Sequence, residues 1–186
     1  MKPKSYTAAL GQVLEPMGFS RNGKEKEWIR VRGDLWEHVG LQMSQIAGVT
    51  ANLAIKDLET ERLLLAAIPS KKHMIPITTR IGTLMDGYDH WWKKDPNGPS
   101  ELSEAVRVHA EPFFDRVRTL EDQAAKWFGR GSTTRWHVGS RIQLALTLYR
   151  LGEVQEACDA LRNPPKLTPP YWLADIESVR KWLGCS

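Results

Sequence analysis

The chain has 186 residues, of which 41% are hydrophobic and 26% charged, and both values are ordinary for a globular protein. A chain of this length buries about 70% of its unfolded surface, so it needs neither a metal nor a disulfide to fold. The net charge is +4, and residues 1–32 hold all of the excess, with seven Lys or Arg against three Asp or Glu. A balance this small argues against a dedicated nucleic-acid binder.

The sequence predicts a cytoplasmic protein without membrane association. The longest apolar run, residues 63–68, is far shorter than the roughly 18 residues of a membrane span. Residues 1–5 lack the hydrophobic stretch of a signal peptide. The cysteines, Cys158 and Cys185, show no CxxC spacing, and we expect both to be reduced, unpaired thiols.

The first part of the chain is predicted to form a helix followed by an antiparallel meander. Apolar residues at helical spacing predict a helix over residues 4–17. Two runs of β-forming residues then flank Gly33-Asp34, which is a candidate type II′ turn. A third run alternates, with Val49, Ala51, Leu53 and Ile55 on one face. The predicted strands are 26–32, 35–44 and 49–55.

The rest of the chain is predicted to be mainly helical. Residues 57–68 form a short helix, residues 78–88 add another strand or two, and residues 95–100 form a loop. We expect Pro112 to kink or restart the helix that follows the loop, and Phe128 to lie on an apolar helix face. The later predicted helices cover 120–128, 136–151, 154–161 and 171–183, with a loop at 129–132.

This order of elements predicts an α+β fold. It has an N-terminal helix, an antiparallel β-meander sheet and an all-helical C-terminal half packed on the sheet. We expect one domain over residues 1–186, with the sheet in residues 1–99 and a helical subregion in residues 100–186.

The first strand carries a basic and aromatic face. Every second side chain of an uninterrupted strand lies on the same face, and one such face holds Lys24, Lys26, Trp28, Arg30 and Arg32. Basic residues around an aromatic ring are typical of a nucleic-acid surface. The favoured alternative is a solvated face with Ile29 and Val31 turned inward, or an Arg30–Glu37 ion pair across the hairpin. A protein interface is the third interpretation.

The segment from Asp86 to Trp92 contains two carboxylates and an imidazole. Asp86, Asp89 and His90 could bind a divalent metal or perform acid–base chemistry, as in a metal-dependent hydrolase. The favoured alternative is a polar turn around Gly87, with Trp91 and Trp92 packing on opposite sides of the chain.

Other features point away from catalysis. The sequence contains no phosphate-binding loop, dinucleotide motif, nucleophile elbow or HExxH motif, so we predict no catalytic residue, metal or cofactor, and we favour a protein that is not an enzyme.

Arg80 stands between apolar residues, and we favour a buried, ion-paired arginine over an anion ligand. Residues 145–157 are similar to the turn of one tetratricopeptide hairpin, and a packed helical hairpin is the favoured interpretation.

Several short motifs follow one another along the chain. They are Met17-Gly18-Phe19, Trp28, Gln42-Met43-Ser44, Asn52-Leu53-Ala54-Ile55, Arg80-Ile81-Gly82, Trp91-Trp92, Leu151-Gly152 and Ala157. In this order they resemble a bacterial family catalogued as domain of unknown function four-three-zero-four. The resemblance implies one α+β domain of bacterial origin and carries over no activity or catalytic residue.

We expect a protein–protein interaction module, with an immunity-type protein that neutralises a toxin as one form. The chain has eight Trp, a residue enriched at interfaces, and this argument fails if nearly all of them lie in one core. Nucleic-acid binding through the first strand and hydrolysis at Asp86, Asp89 and His90 are the alternatives. The candidate binding residues are Trp28, Arg30, Arg32, Trp36, Arg80, Trp91 and Trp92.

Overall fold

The computed structural model describes residues 5–23, 26–72, 74–129, 138–164 and 168–185. Its strands form one five-stranded sheet in the order β1-β2-β3-β4-β5, which confirms the α+β class and the meander. Among the described residues, no helix is long and apolar enough to cross a membrane. The elements are α1 Tyr6–Leu14, β1 Ser20–Arg21, β2 Glu27–Arg32, β3 Leu35–Ser44, β4 Gly48–Asp57, α2 Leu58–Ala67, β5 Ile77–Arg80, α3 Ile81–Met85, α4 Gly98–Arg116, α5 Leu120–Gly129, α6 Val138–Arg150, α7 Val154–Leu161 and α8 Pro170–Leu183.

The β2–β3 hairpin forms in the predicted register. Arg30 lies opposite Glu37, and Arg32 lies opposite Leu35. Gly33 has a φ of 60°, while Asp34 is not among the residues with positive φ. This combination is the backbone of a type II′ turn, whose first central position favours glycine.

The chain divides into two compact units, and the first comprises residues 1–55 and 78–116. Within it, the even-numbered side chains of β2 lie on the side of the sheet where α1 and α4 pack. Val49, Ala51, Leu53 and Ile55 have no exposed surface, as their alternation predicted. Its largest fully buried side chains include Leu10, Leu14, Trp28, Leu53, Ile55, Ile81, Leu102 and Phe114.

The sequence interpretation that turned Ile29 and Val31 inward is wrong. Val31 is 57% exposed, whereas Trp28 on the opposite face has no exposed surface. Arg30 can lie on the buried face because carboxylates from β3 and α4 neutralise its charge there. The alternation of side chains along β2 therefore predicted correctly which residues share a face. The assignment of the face with Ile29 and Val31 to the core was wrong.

The second unit comprises residues 56–77 and 117–186, and its regular elements in the described residues are helices and the ends of two strands. Its central helix, α6, packs against α2, α5, α7 and α8. Members of its hydrophobic core include Leu64, Met74, Ile142, Leu146, Leu161, Ile176 and Val179. The hairpin of α6 and α7 contains residues 145–157, the segment similar to a tetratricopeptide turn.

The predicted sheet and helical subregions differ from these units. Most of helix α4 lies beyond residue 99, yet the helix belongs to the unit that holds most of the sheet, while α2 belongs to the helical unit. The expectation of one domain over residues 1–186 stays a prediction.

The expectation of two unpaired thiols is wrong. Cys158 of α7 and Cys185, directly after α8, form a disulfide with Cα atoms 5.6 Å apart. The two residues are 27 positions apart in sequence, and their pairing depends on how α7 packs against α8. No motif in the sequence near either cysteine predicts this packing, so the disulfide could not be inferred from cysteine spacing.

Four further details differ from the sequence predictions. β5 is one of the one or two strands predicted within residues 78–88, but the chain then forms the helix α3 and no second strand there, and α4 begins at Gly98, inside the predicted loop. Helix α4 also continues through Pro112 to Arg116 without restarting. Phe128 is 75% exposed instead of packing on an apolar face. The predicted loop at 129–132, apart from Gly129, and Lys24 lie outside the described residues.

Candidate functional site

The candidate site is the sheet face opposite the one that packs on α1 and α4. We call it the outer face and define it by Trp36, His38, Gln42, Asn52, Arg80 and Trp91. Trp36, His38 and Gln42 alternate along β3 and therefore point to the same side. The Trp36 and His38 rings stack with centroids 5.2 Å apart and an interplanar angle of 5°. Exposed Val31 lies directly opposite Trp36 on β2.

The second half of the outer face is a hydrogen-bonded cluster around Arg80. Asn52 Nδ2 donates to Gln42 Oε1 at 3.0 Å, and Arg80 Nη2 donates to the same oxygen at 3.4 Å. Arg80 also forms a salt bridge with Asp89, and the Trp91 indole N–H donates to Asp89 at 3.1 Å. The guanidinium carbon of Arg80 lies 5.2 Å from the centre of the Trp91 ring. These contacts hold a half-buried tryptophan and an arginine in one fixed arrangement.

The three candidate metal or acid–base residues have separate partners. Asp86 Oδ1 accepts a hydrogen bond from the Tyr88 backbone N–H, and Asp89 is bound by Arg80 and Trp91. The His90 ring packs on Trp92, with centroids 4.4 Å apart. Within the described ranges, no group of three His, Cys, Asp or Glu side chains could hold a metal ion. The observed geometry is that of a structural turn.

Arg30 and Arg32 lie on the opposite, inner face in a cluster of charges. Arg30 contacts Glu37 at 2.6 Å and Glu111 at 2.8 Å. Arg32 contacts the same two carboxylates at 2.7 and 2.6 Å, and Asp115 at 3.3 Å. Three carboxylates thus surround two guanidinium groups, so the cluster has a formal charge of −1. We call these five residues the inner ion cluster.

Further contacts hold the two arginines of the inner ion cluster in place. Arg30 also donates to the Met17 carbonyl oxygen at 2.6 Å and stacks on the Phe19 ring at 4.3 Å. Partial burial opposes the charge of Arg32, but its hydrogen bond to Glu37 and the negative charges of Glu37, Glu111 and Asp115 raise the pKa of Arg32. The predicted Arg30–Glu37 pair is present, and α4 adds carboxylates that the sequence interpretation did not include.

The tryptophans are divided between cores and surfaces. Trp28, Trp92 and Trp127 are buried, and Trp182 is exposed. Trp36, Trp91 and Trp172 are half-buried, and Trp136 lies outside the described residues. The buried ones fall in both units, so they do not form one core. Of the candidate binding tryptophans, Trp36 and Trp91 are accessible, whereas Trp28 and Trp92 are not.

Sequence reasoning did not select Gln42 and Asn52 as site residues, although the motifs of the family resemblance contain both. The sequence feature that could have identified them is an amide side chain within each of two neighbouring strands, where polar groups are uncommon. Glu111 and Asp115 were also missed. Their signal is a pair of carboxylates four residues apart, which lie on one side of a helix.

The family described as "Domain of unknown function (DUF4304)" matches residues 10–116. This is more than half of the chain. The chain belongs to this family. No curated protein and no solved structure matches the chain significantly.

The DUF4304 region contains both features described above. The outer face and the inner ion cluster lie entirely within residues 10–116, and the match ends at the last residue of α4. Helices α5 to α8 lie beyond the match. The first unit therefore carries the features that other members of the family can share.

Proposed function

We propose that this DUF4304 protein is a non-enzymatic interaction module that binds a protein partner through the outer face. An immunity-type role, in which the partner is a toxin, is one form of this proposal. The observation that carries it is the presence of Trp36, Trp91 and Arg80 on one sheet face, each partly exposed. Trp and Arg are among the residues that contribute most binding energy when a partner covers them.

The dimensions of the outer face support this proposal. Gln42 lies six positions after Trp36 on β3, which corresponds to about 20 Å along the strand. Trp91 lies next to Arg80, whose guanidinium reaches Gln42. The outer face therefore extends across β3, β4 and β5 as well as along β3, as an interface that buries roughly 800 Å² per partner requires.

Polar groups of the outer face are also suited to a protein partner. The Gln42 oxygen accepts two hydrogen bonds, while its amide nitrogen has no partner among the described residues. Such an amide donor can bind a backbone carbonyl of another protein. Stacking on Trp91 and pairing with Asp89 hold Arg80 in place, so less conformational entropy is lost when a partner binds.

The two alternative functions have less support. Arg30 and Arg32, which carried the nucleic-acid hypothesis, lie in a cluster with a formal charge of −1. Asp86, Asp89 and His90, which carried the hydrolase hypothesis, are held by separate partners.

We also propose a bacterial origin and a cytoplasmic location for the protein. The Cys158–Cys185 disulfide argues against the cytoplasmic location, because disulfides are rare in the cytosol, and the redox state of the two cysteines in cells therefore tests it. Alkylation of cells before lysis would label Cys158 and Cys185 in a reducing compartment and leave them unlabelled in an oxidising one.

The interaction is tested by capturing partners from native lysate on the immobilised full-length protein, after nuclease treatment. We expect the wild type to retain one protein in stoichiometric amount, and Trp36→Ala and Trp91→Ala to lose it. Truncating a central tryptophan of an interface costs at least about 2 kcal/mol, or roughly thirty-fold in Kd.

Trp182→Ala is the matched control, because Trp182 is an exposed tryptophan of the second unit. It should retain the partner with unchanged affinity. The outer face is rejected as the docking surface if all three variants retain the partner equally. It is also rejected if the partner is captured from untreated lysate and lost from nuclease-treated lysate.

A further inference from the structure

Arg80 on the outer face has hydrogen-bond donors that its observed contacts do not use. Its side chain is 36% exposed, so a ligand atom can reach it. A guanidinium group has five N–H donors, and the bonds to Asp89 and to Gln42 account for two of them. The other three have no acceptor among the described residues, so Arg80 can bind a further acceptor and keep both contacts.

Two amide side chains next to Arg80 add further donors. The Gln42 oxygen accepts bonds from Asn52 and Arg80 at 3.0 and 3.4 Å. Both N–H groups of the Gln42 amide, and the second N–H of Asn52, have no acceptor in the described part of the chain. Neither residue is fully buried. We call Arg80, Gln42 and Asn52 the donor corner of the outer face, and its excess of N–H groups favours a ligand that supplies acceptors.

The charge of Arg80 favours an acceptor that is negatively charged. The arginines of the inner ion cluster each contact more than one carboxylate, since Arg30 contacts two and Arg32 contacts three. Within the described ranges, Arg80 contacts only the carboxylate of Asp89. A hydrogen bond from a guanidinium to a carboxylate is roughly twice as strong as one between neutral groups. A second carboxylate is therefore the acceptor that suits Arg80 best.

Trp91 keeps the guanidinium of Arg80 in position for such a carboxylate. The guanidinium carbon lies 5.2 Å from the centre of the Trp91 ring, and stacking on an aromatic face leaves the N–H groups at the guanidinium edge free to bind acceptors. Asp89 accepts hydrogen bonds from both Trp91 and Arg80, which ties these two side chains together. The negative charge of Asp89 opposes a polyanion such as a nucleic acid more strongly than it opposes a single carboxylate.

We infer that the protein partner of the outer face places an acidic side chain, Asp or Glu, on the donor corner. Its carboxylate accepts hydrogen bonds from Arg80 and Gln42, and Arg80 then joins it to Asp89 as Arg30 joins Glu37 to Glu111. The inference rests on the proposed interaction and adds the chemistry of the partner, which has an acidic docking surface. Asp89 competes with the partner's carboxylate for Arg80 and limits the affinity.

The test is a selection of random peptides, displayed on phage, on the immobilised full-length protein. We expect the selected sequences to be enriched in Asp and Glu. The most enriched peptide is then synthesised with blocked ends, and its Kd is measured by NMR from the shifts of the Gln42 amide and Trp91 indole N–H signals. Replacing its acidic residues singly with the amide should weaken binding at least about tenfold at one position.

Variants of the full-length protein locate the site of this peptide. Arg80→Gln should weaken binding at least about tenfold, because the charged donor is lost. Arg107→Gln is the matched control, since Arg107 is also an exposed arginine paired with one carboxylate, that of Glu104. It should leave the affinity unchanged.

Asp89→Asn distinguishes a binding role of Arg80 from a purely structural ion pair. The variant keeps an oxygen that can accept bonds from Arg80 and Trp91 but removes the competing charge, so it should strengthen binding about threefold. A purely structural pair predicts weaker or unchanged binding.

The inference is overturned if no peptide is selected, if the selected peptides are not acidic, or if Arg80→Gln and Arg107→Gln bind the acidic peptide equally. Weaker or unchanged binding in Asp89→Asn also overturns it, as does a single-stranded RNA that binds at Arg80 more tightly than the peptide. Peptides without acidic residues that bind the wild type but not Trp36→Ala would reject the acidic partner and leave the proposed protein interaction in place.

Discussion

Glu37 is the residue that connects the two arginines of the inner ion cluster. Its side chain has no exposed surface, and its two oxygens contact Arg30 at 2.6 Å and Arg32 at 2.7 Å. Arg30 is itself only 10% exposed. A carboxylate in this position is stable because both neighbouring charges are positive and lie within hydrogen-bond distance.

We predict that Glu37→Gln destabilises the protein by about 1–3 kcal/mol, because both Glu37 oxygens accept hydrogen bonds from the arginines and the amide replaces one of these buried acceptors by an NH₂ donor. The substitution preserves the size of the side chain, so the effect comes from the lost acceptor and its charge. The measurement is the free energy of unfolding in urea at neutral pH.

Glu104→Gln provides the comparison for this effect. Glu104 belongs to an exposed pair with Arg107 on α4, and its pKa is lowered mainly by the hydrogen bond from Arg107. Exposed pairs of this kind contribute little to stability, so we expect no measurable change. Similar effects of the two substitutions would show that the inner ion cluster is not a stabilising feature of the first unit.

The β2–β3 hairpin shows what local sequence determines. Gly33-Asp34 specifies a two-residue turn, and the turn fixes the register that places Arg30 opposite Glu37. The same local information did not identify the buried face, because that depends on Glu111 and Asp115, which are about 80 residues away. Arginine is usually exposed, so alternation alone led to the wrong assignment.

Helix α4 continues through a proline, although a proline inside a helix usually kinks or ends it. Pro112 lacks the N–H that would bond to the carbonyl of Val108, yet α4 continues to Arg116. Pro112 and Val108 both lie on the exposed side of the helix, where water can bind the unpaired carbonyl. The buried side chains of Phe113 and Phe114 hold the last turn in place.

The Cys158–Cys185 disulfide joins α7 to the end of α8, and its effect on stability can be measured. A crosslink that closes a loop of 27 residues stabilises the folded chain by about 3.5 kcal/mol in the chain-entropy description. We predict that Cys185→Ser lowers the free energy of unfolding by up to this amount. The measurement is urea unfolding without reductant.

Reduced wild type is the matched control for that variant, because it has the same open loop. Addition of reductant should lower the stability of the wild type to that of Cys185→Ser and leave the variant unchanged. A variant as stable as the oxidised wild type would show that the disulfide does not stabilise the second unit.

At the scale of the whole chain, candidate residues chosen from the sequence fall on different surfaces. Trp36, Arg80 and Trp91 lie on the outer face, while Trp28, Arg30 and Arg32 lie on the inner one. Residue type identified groups that can bind, but only long-range packing determines which of them are accessible. Gln42 and Asn52 were missed because an amide gains its role from the neighbour that it contacts.

The two units are interleaved along the chain, which limits where it can be cut. Residues 56–77, including α2, lie between the two segments of the first unit but belong to the second. On α2 and directly after it, Leu64, Ala67 and Ile68 are buried in the hydrophobic core formed with α6, α7 and α8. The DUF4304 match includes α2 and ends before those three helices.

We therefore predict that a chain of residues 1–116 self-associates, although it contains the whole first unit. Its α2 would expose apolar side chains that each gain about 1.5–3 kcal/mol from burial. Light scattering after size exclusion should show oligomers, and a hydrophobic dye should bind to them. Adding Leu64→Glu and Ile68→Glu to the shortened chain should restore a monomer, because the exposed surface becomes charged. A monomeric 1–116 chain without dye binding would mean that α2 does not need α6, α7 and α8 to cover it.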